Sequence, residues 1–181
     1  MPDVDEPVNL VPHQAAWAVQ AHSEVARVAR RLGLPAADIQ HIGSTAVPGL
    51  VAKPVIDLMA GVAKYPPPSS FTSALALLGY AALGEAGVPG RAYFRLRAAS
   101  SFNLHLVRNG GEHWRNNIML RDYLRKSAAA REQYAQAKAA ALSTAGSTLL
   151  SYSIAKAAVV ATLLKQALLA AMAANNRWRG L

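Results

Sequence analysis

The sequence predicts an α+β fold, a mixed sheet flanked by helices and followed by a C-terminal helical extension. An amphipathic stripe opens the chain: over residues 14–32, Trp17, Ala21, Val25, Val28 and Leu32 recur at helical spacing, with Arg27, Arg30 and Arg31 off the stripe. The middle of the chain alternates short runs of branched and aromatic residues with turns rich in glycine and proline, which is how strands are punctuated. Beyond residue 111 the composition is that of helices, which are therefore segregated toward the C-terminus.

Gly33 and Pro35 close the first helix, and residues 38–42 form a short strand that runs into the turn-rich stretch 43–49. A second strand, 54–62, is rich in branched apolar residues and contains one charge, Asp57. The prolines at 66–68 can continue neither helix nor strand, so 65–70 is a connection leading to a short helix over 71–78. Gly79 then opens a sheet region: residues 80–83, a loop containing Gly84, Gly87, Pro89 and Gly90, and strands over 91–97 and 101–108. In the last strand Phe102, Leu104 and Leu106 share one face while Asn103, His105 and Val107 share the other. Gly110 and Gly111 separate this core, 1–110, from helices at 113–126, 129–142 and 149–174, with a turn over 143–147. The helical part, 111–181, is expected to pack on the core as a single compact domain, and no internal repeat is visible.

At 181 residues the chain is long enough to bury one core without disulfides or a metal staple. Cysteine is absent, so thiol chemistry is excluded and a reducing, cytoplasmic setting is expected. The first seven residues are acidic and proline-punctuated, unlike a secretory signal. The apolar segment 154–174 is interrupted by Lys156, Lys165 and Gln166, so it reads as a buried helix of a soluble protein, and no membrane partner is expected. The net charge of +9 is unevenly placed: residues 1–90 hold 5 basic and 7 acidic side chains, residues 91–181 hold 14 basic and 3 acidic. Such asymmetry suits an anionic partner, although an arginine-rich solvated helical surface would give the same count. Nucleic acid ranks low among such partners, because exposed aromatics are poorly interleaved with the basic residues.

Two elements carry chemistry. In the turn Gly43-Ser44-Thr45, glycine lets backbone amides approach a phosphate, and two hydroxyls add donors if the turn opens a helix facing the anion. Asp57, a carboxylate inside an apolar strand, is costly unless paired or metal-bound. Together they suit a magnesium nucleotide. His41 reads as a buttress of the turn with a lesser claim on the ligand. In the basic half, Arg121 with Arg125, Tyr134 with Lys138, and Tyr152 with Lys156 each lie one helical turn apart and are candidates for a phosphate clamp. The Tyr152 and Lys156 spacing also mimics a dehydrogenase pair, but no glycine-rich dinucleotide fingerprint follows a first strand. The five histidines show no zinc-ligand spacing.

The dipeptide Gly43-Ser44, followed after 12 intervening residues by an apolar-flanked aspartate, resembles the signature of the polymerase-β-like nucleotidyltransferase superfamily. Within it, His41-Ile42-Gly43-Ser44-Thr45, Val47-Pro48-Gly49-Leu50 and Ala52-Lys53-Pro54-Val55-Ile56-Asp57 resemble the GrpB family, as do Leu104-His105-Leu106-Val107 and Leu120-Arg121-Asp122-Tyr123. The resemblance implies a minimal nucleotidyltransferase-like sheet, a nucleoside triphosphate and a small acceptor as partners, and a divalent metal, magnesium or manganese. It implies Asp57 and His105 as catalytic residues and metal ligands. His41, Gly43, Ser44, Thr45, Lys53, Arg121, Arg125, Lys138, Tyr152 and Lys156 would then bind substrate phosphate. One departure stands out: the superfamily holds two carboxylates two residues apart on this strand, and here Met59 occupies the second place, offering no hard oxygen ligand. Nucleotidyl transfer from the triphosphate to the acceptor is the leading expectation, and the departure at Met59 motivates its alternative, a module that binds a nucleotide or phosphometabolite without turnover. Apolar stripes on the C-terminal helices leave room for a homodimer interface.

Overall fold

A computed structural model describes residues 8–144 and 149–177, with side chains over 8–143 and 154–173. Helix α1 (Ala16–Leu32) is followed by strand β1 (Ile39–Ile42), strand β2 (Ile56–Val62), helix α2 (Ser69–Ala76), and strands β3 (Ala81–Ala82), β4 (Arg91–Arg97) and β5 (Ser101–Arg108). Helices α3 (Glu112–Lys126), α4 (Ala128–Thr144) and α5 (Leu149–Arg177) complete the chain. The α+β class and the order of elements match the expectation from the sequence. Part of the turn expected over 143–147 lies outside the described residues.

The five strands form one mixed sheet in the order β1-β2-β5-β4-β3. Only the β2–β5 pair is parallel; β1–β2, β5–β4 and β4–β3 are antiparallel. The register sets Asp57 opposite Asn103 and Met59 opposite His105 across β2 and β5, then Asn103 opposite Arg95 and His105 opposite Tyr93 across β5 and β4. Because side chains alternate along a strand, all six face the same side of the sheet.

The opposite side is dry. Ile56, Leu58, Ala60 and Val62 of β2 and Phe102, Leu104 and Leu106 of β5 pack against Trp17, Val28 and Leu32 of α1 and Leu75 of α2. Each such side chain removed from water contributes about 2 kcal/mol. One polar knot crosses this layer: Arg27 donates to both oxygens of buried Glu24 at 2.8 Å, and the Tyr80 hydroxyl donates to Glu24 at 2.7 Å. Arg27 also reaches the Leu78 carbonyl, which ties α1 to the turn after α2.

The polar side of the sheet is half sealed. Trp114 and Ile118 of α3 lie on Ile42, Met59 and Val107, leaving the Asp57 end open. A second apolar cluster, Val47, Leu50, Leu124, Tyr134 and Leu163, joins the segment between β1 and β2 to α3, α4 and α5. The helical half thus packs on the sheet through the very stretch that carries the Gly43 turn.

Helix α5 departs from expectation. The sequence predicts a buried helix, yet among its described side chains only Leu163 and Ala167 turn fully inward, while Ile154, Leu168, Leu169 and Met172 are 68, 50, 57 and 55% exposed. By length and composition its segment Ile154–Ala173 is able to cross a membrane, a weak indication for one helix standing alone. Alanine and leucine on every face leave no stripe from which a buried side can be read.

Candidate functional site

The site is built where β1 ends. Its last residue leads into Gly43, whose φ of 71° is a conformation that favours glycine, and the chain then makes a single 3-10 turn, Ser44–Ala46. The turn opens no α-helix, so any anion there is met by backbone and hydroxyl groups without a helix dipole. A Cβ at Gly43 would stand 2.6 Å from Asp57 Oδ2. Glycine is therefore required twice over, by its backbone angle and by the carboxylate pressed against it.

Asp57 is 21% exposed at its side chain and is held on its other flank by β5. Asn103 donates from Nδ2 to Asp57 Oδ1 at 2.7 Å, and Arg97 donates to Asn103 Oδ1 at 3.1 Å, which orients the amide. His105 Nε2 stands 3.6 Å from the same Asp57 oxygen. His105 Nδ1 lies 3.5 Å from Arg91 Nη1, and because a guanidinium only donates, Nδ1 is the acceptor and the proton sits on Nε2, toward Asp57. Burial alone would raise the Asp57 carboxyl, but the His105 ring, the Lys53 charge and the Asn103 amide hold it well below the usual carboxylate range. Burial likewise lowers His105 despite Asp57, which favours a neutral ring.

The predicted phosphate residues separate into three groups. Gly43, Ser44, Thr45, Lys53, Lys138 and Lys156 surround a small cavity of about 70 Å³ beside Asp57. Lys138 is only 1% exposed; its ammonium donates to Ser44 Oγ at 3.0 Å and to the Val51 carbonyl, and lies over the Tyr134 ring. Burial, with Lys156 and Lys53 nearby, pushes its pKa down to about 7. A second group is anchored to the scaffold. Arg121 donates to Gln40 Oε1 at 2.9 Å, to the His41 carbonyl at 3.2 Å and to Asp122 at 2.8 Å, while Arg125 donates to the Ala46 carbonyl at 2.8 Å. Arg121 still borders the main cleft. His41 is outside the cleft lining and bonds Thr45 Oγ1 through Nε2 at 2.9 Å, the buttress the sequence suggested. The third group is Tyr152, whose side chain lies outside the described residues.

The small cavity adjoins a cleft of about 400 Å³, a volume typical of small-molecule sites. Its lining includes Lys53, Arg91, Arg95, Arg121 and Lys156 and, among the described residues, a single carboxylate, Asp57. Leu120, Leu124, Tyr134 and Val160 supply an apolar wall. The arrangement suits an anionic ligand with an apolar or planar part. It does not fit a resident divalent ion, which needs several hard oxygen ligands. Among the described residues no three His, Cys, Asp or Glu side chains converge, and Met59 is sealed under α3.

Sequence reasoning overlooked Arg91, Tyr93 and Arg95, and with them Asn117 of α3, which also borders the cleft. The signal was present in β4: Arg91, Tyr93, Arg95 and Arg97 alternate with Ala92, Phe94 and Leu96, a period of two that puts one cationic face opposite one apolar face.

Comparisons with known proteins identify relatives of the chain at family level. The sequence profile described as "GrpB protein" matches residues 7–166. A "Glutamate-rich protein GrpB" of Alkalihalophilus pseudofirmus is 30% identical over 72% of this chain and 79% of its own length. A UPF0157 protein of Streptomyces coelicolor is 29% identical over 88% of this chain and 84% of its length. Another of Bacillus subtilis, 30% identical over 72% of this chain, is matched over only 38% of its own length. In three dimensions the chain resembles the crystal structure of a conserved protein GrpB from Enterococcus faecalis, with a TM-score of 0.76 and 26% identity over 88% of this chain and 97% of that one.

Two expected outcomes follow from this geometry. Gly43→Ala drives a methyl group into Asp57 and forces a strained backbone angle, so urea unfolding should show a loss of about 3 kcal/mol. Burial, with Arg125 and Arg121 close by and against the pull of Asp57, brings His41 down to about 4 from 6.5. Unfolded chains then bind the extra proton between those values, so His41 stabilises fully above pH 6.5 and progressively less as pH falls to 4, by up to about 3 kcal/mol. Stability of the wild type should fall over that window relative to His41→Gln in parallel denaturant titrations.

Proposed function

The chain belongs to the GrpB family, and from that premise we propose that its cleft binds a nucleoside triphosphate or a phosphometabolite of the same polyanionic kind. The observation that carries this reading is the contact between Asp57 and the Gly43 turn, flanked by three lysines around one small cavity. In this reading the phosphate chain lies against Gly43, Ser44 and Thr45, with Lys53 and Lys156 on its oxygens. Lys138 acts from behind, holding Ser44 in place. The wall of Leu120, Leu124 and Val160 takes the less polar end of the ligand. Magnesium or manganese enters only as part of a triphosphate substrate, and among the described residues Asp57 is the cleft carboxylate that meets it. A cytoplasmic setting, where nucleoside triphosphates are held, suits this role.

A second reading, transfer of the nucleotidyl group to a small acceptor, is favoured by the Asp57–His105 pair. There Asp57 takes the proton of an acceptor hydroxyl, the acceptor oxygen bonds to the α-phosphorus, and the bond to pyrophosphate breaks. Two features rank it second. A carboxyl held so far below its usual range is a weak base, and Met59 removes the second carboxylate on which the superfamily's two-ion chemistry depends.

Calorimetric titration of each nucleoside triphosphate, with magnesium or manganese, tests the reading. Wild-type protein should bind at least one of them, Lys156→Gln should weaken that binding at least tenfold, and no pyrophosphate should accumulate over hours. Failure to bind any triphosphate, or equal binding by the variant, contradicts it. Steady pyrophosphate release abolished by Asp57→Asn would promote transfer to first place.

A further inference from the structure

We propose that Ser44 is a phosphoryl acceptor: with Lys138 as its general base, its hydroxyl takes the terminal phosphoryl group of the bound nucleoside triphosphate. The proposal rests on the reading of the lysine-lined cavity as the polyphosphate site and adds a chemical step there. Its basis is a serine and a lysine held in contact away from water. Lys138 is buried, and its nitrogen stands 3.0 Å from Ser44 Oγ and also contacts the Val51 carbonyl. A carbonyl only accepts, so one N–H is committed to Val51, and the neutral amine keeps its lone pair for the Ser44 proton. Nucleophile and base within hydrogen-bond reach are what an activated serine requires. Thr45 is not its equal: it is buried and its Oγ1 is bonded to His41 Nε2 at 2.9 Å, whereas Ser44 is half-buried and borders the small cavity.

The size of the cavity decides which phosphate meets Ser44. Its volume is about 70 Å³, and one water takes about 30 Å³ in the liquid, so a single phosphoryl group fits and a nucleoside does not. The nucleoside end then lies in the adjoining cleft of about 400 Å³, with the terminal phosphate beside Ser44. Lys53 and Lys156 border both spaces and balance charge on the terminal and bridging oxygens. In the step, the Ser44 hydroxyl proton passes to Lys138 Nζ and Oγ bonds to the terminal phosphorus. The bond from that phosphorus to the bridging oxygen breaks, and its electron pair leaves with the nucleoside diphosphate. One phosphoserine forms per chain and no pyrophosphate is released. The charged groups around Lys138 are Lys53 ahead of β2, Asp57 on β2 and Lys156 on α5, with the Tyr134 ring of its own helix 5.5 Å away. Burial and the two lysines outweigh Asp57 and bring Lys138 to about 7, so the unprotonated amine is well populated near neutrality.

The test incubates the protein with magnesium and, in turn, ATP, GTP, CTP and UTP, measures the binding of each by calorimetry, and reads the product by intact mass and peptide mapping. At least one of them should leave a single phosphoryl group on Ser44, with an equal amount of diphosphate released. Ser44→Ala should abolish the label, and Lys138→Met at saturating triphosphate should slow it about a hundredfold or more. Lys138→Arg should be as slow, because its guanidinium stays charged and takes up no further proton. The wild-type rate should rise as pH passes about 7, where Lys138 gives up its proton. Should the Lys138 variants fail to fold, the mapped site, Ser44→Ala and the pH profile decide. A triphosphate that binds yet leaves no phosphoryl group on Ser44 after hours overturns the acceptor role while leaving the polyphosphate reading intact. A phosphoryl group on another residue, or a nucleotidyl group on Ser44, overturns it likewise, and labelling of Lys138→Arg at the wild-type rate removes Lys138 as the base. Absence of binding by every triphosphate is a failure of the polyphosphate reading, and the acceptor role falls with it.

Discussion

A carboxylate kept charged against the backbone of a glycine is the constraint around which this molecule is organised. Asp57 sits in the second strand of the sheet with most of its surface withdrawn from water, a position that by itself favours the neutral acid. Its ionised form persists because Asn103 and His105 on the adjacent strand point hydrogens at it and because Lys53 lies near. Gly43 closes over the far oxygen, where any side chain would collide. The turn, the two central strands and their register are thus interdependent: a slip of β5 by one residue would exchange Asn103 and His105 for apolar neighbours and strip the carboxylate of its donors.

The same geometry explains how the helical half takes part. Arg121 and Arg125 of α3 donate to carbonyls of the β1 end and the turn, and Lys138 of α4 donates to Ser44 and to the Val51 carbonyl. Several of these cations spend their donors on holding the turn's backbone in shape. The buried ammonium of Lys138 is the costliest of them, since burial and two neighbouring lysines lower its proton affinity. A charge placed so unfavourably is consistent with service to the site rather than to stability. Lys53 and Lys156 border the small cavity beside the turn as well as the main cleft, which Arg91, Arg95 and Arg121 also line.

Much of the fold was legible because the apolar pattern changes period along the chain. The stripe of α1 and the alternation in β5 are unambiguous, and both elements lie where the sequence puts them. Asp57 was legible for a related reason, as the one charge in an apolar strand, and the glycine turn because its wording is that of a family. Other features were hidden. The burial of α5 could not be judged from a helix that is apolar all round. That Lys138, Arg121 and Arg125 also donate to carbonyls of the turn region could not be foreseen, because a Lys or Arg looks the same in sequence whether it faces a cleft or a backbone carbonyl. The β4 arginines were overlooked for the opposite reason: charges in a short strand suggest an exposed edge, and only the sheet order, with β3 outside β4, shows that their face looks into a cleft.

The most direct test of this account is a crystal structure with a non-hydrolysable nucleoside triphosphate analogue. Phosphate oxygens should lie within hydrogen-bonding distance of the Gly43 to Thr45 backbone and of the Lys53 and Lys156 ammonium groups, with Asp57 still seated beneath Gly43. An analogue bound elsewhere on the protein, or a turn drawn away from Asp57 with its amides facing solvent, would contradict it.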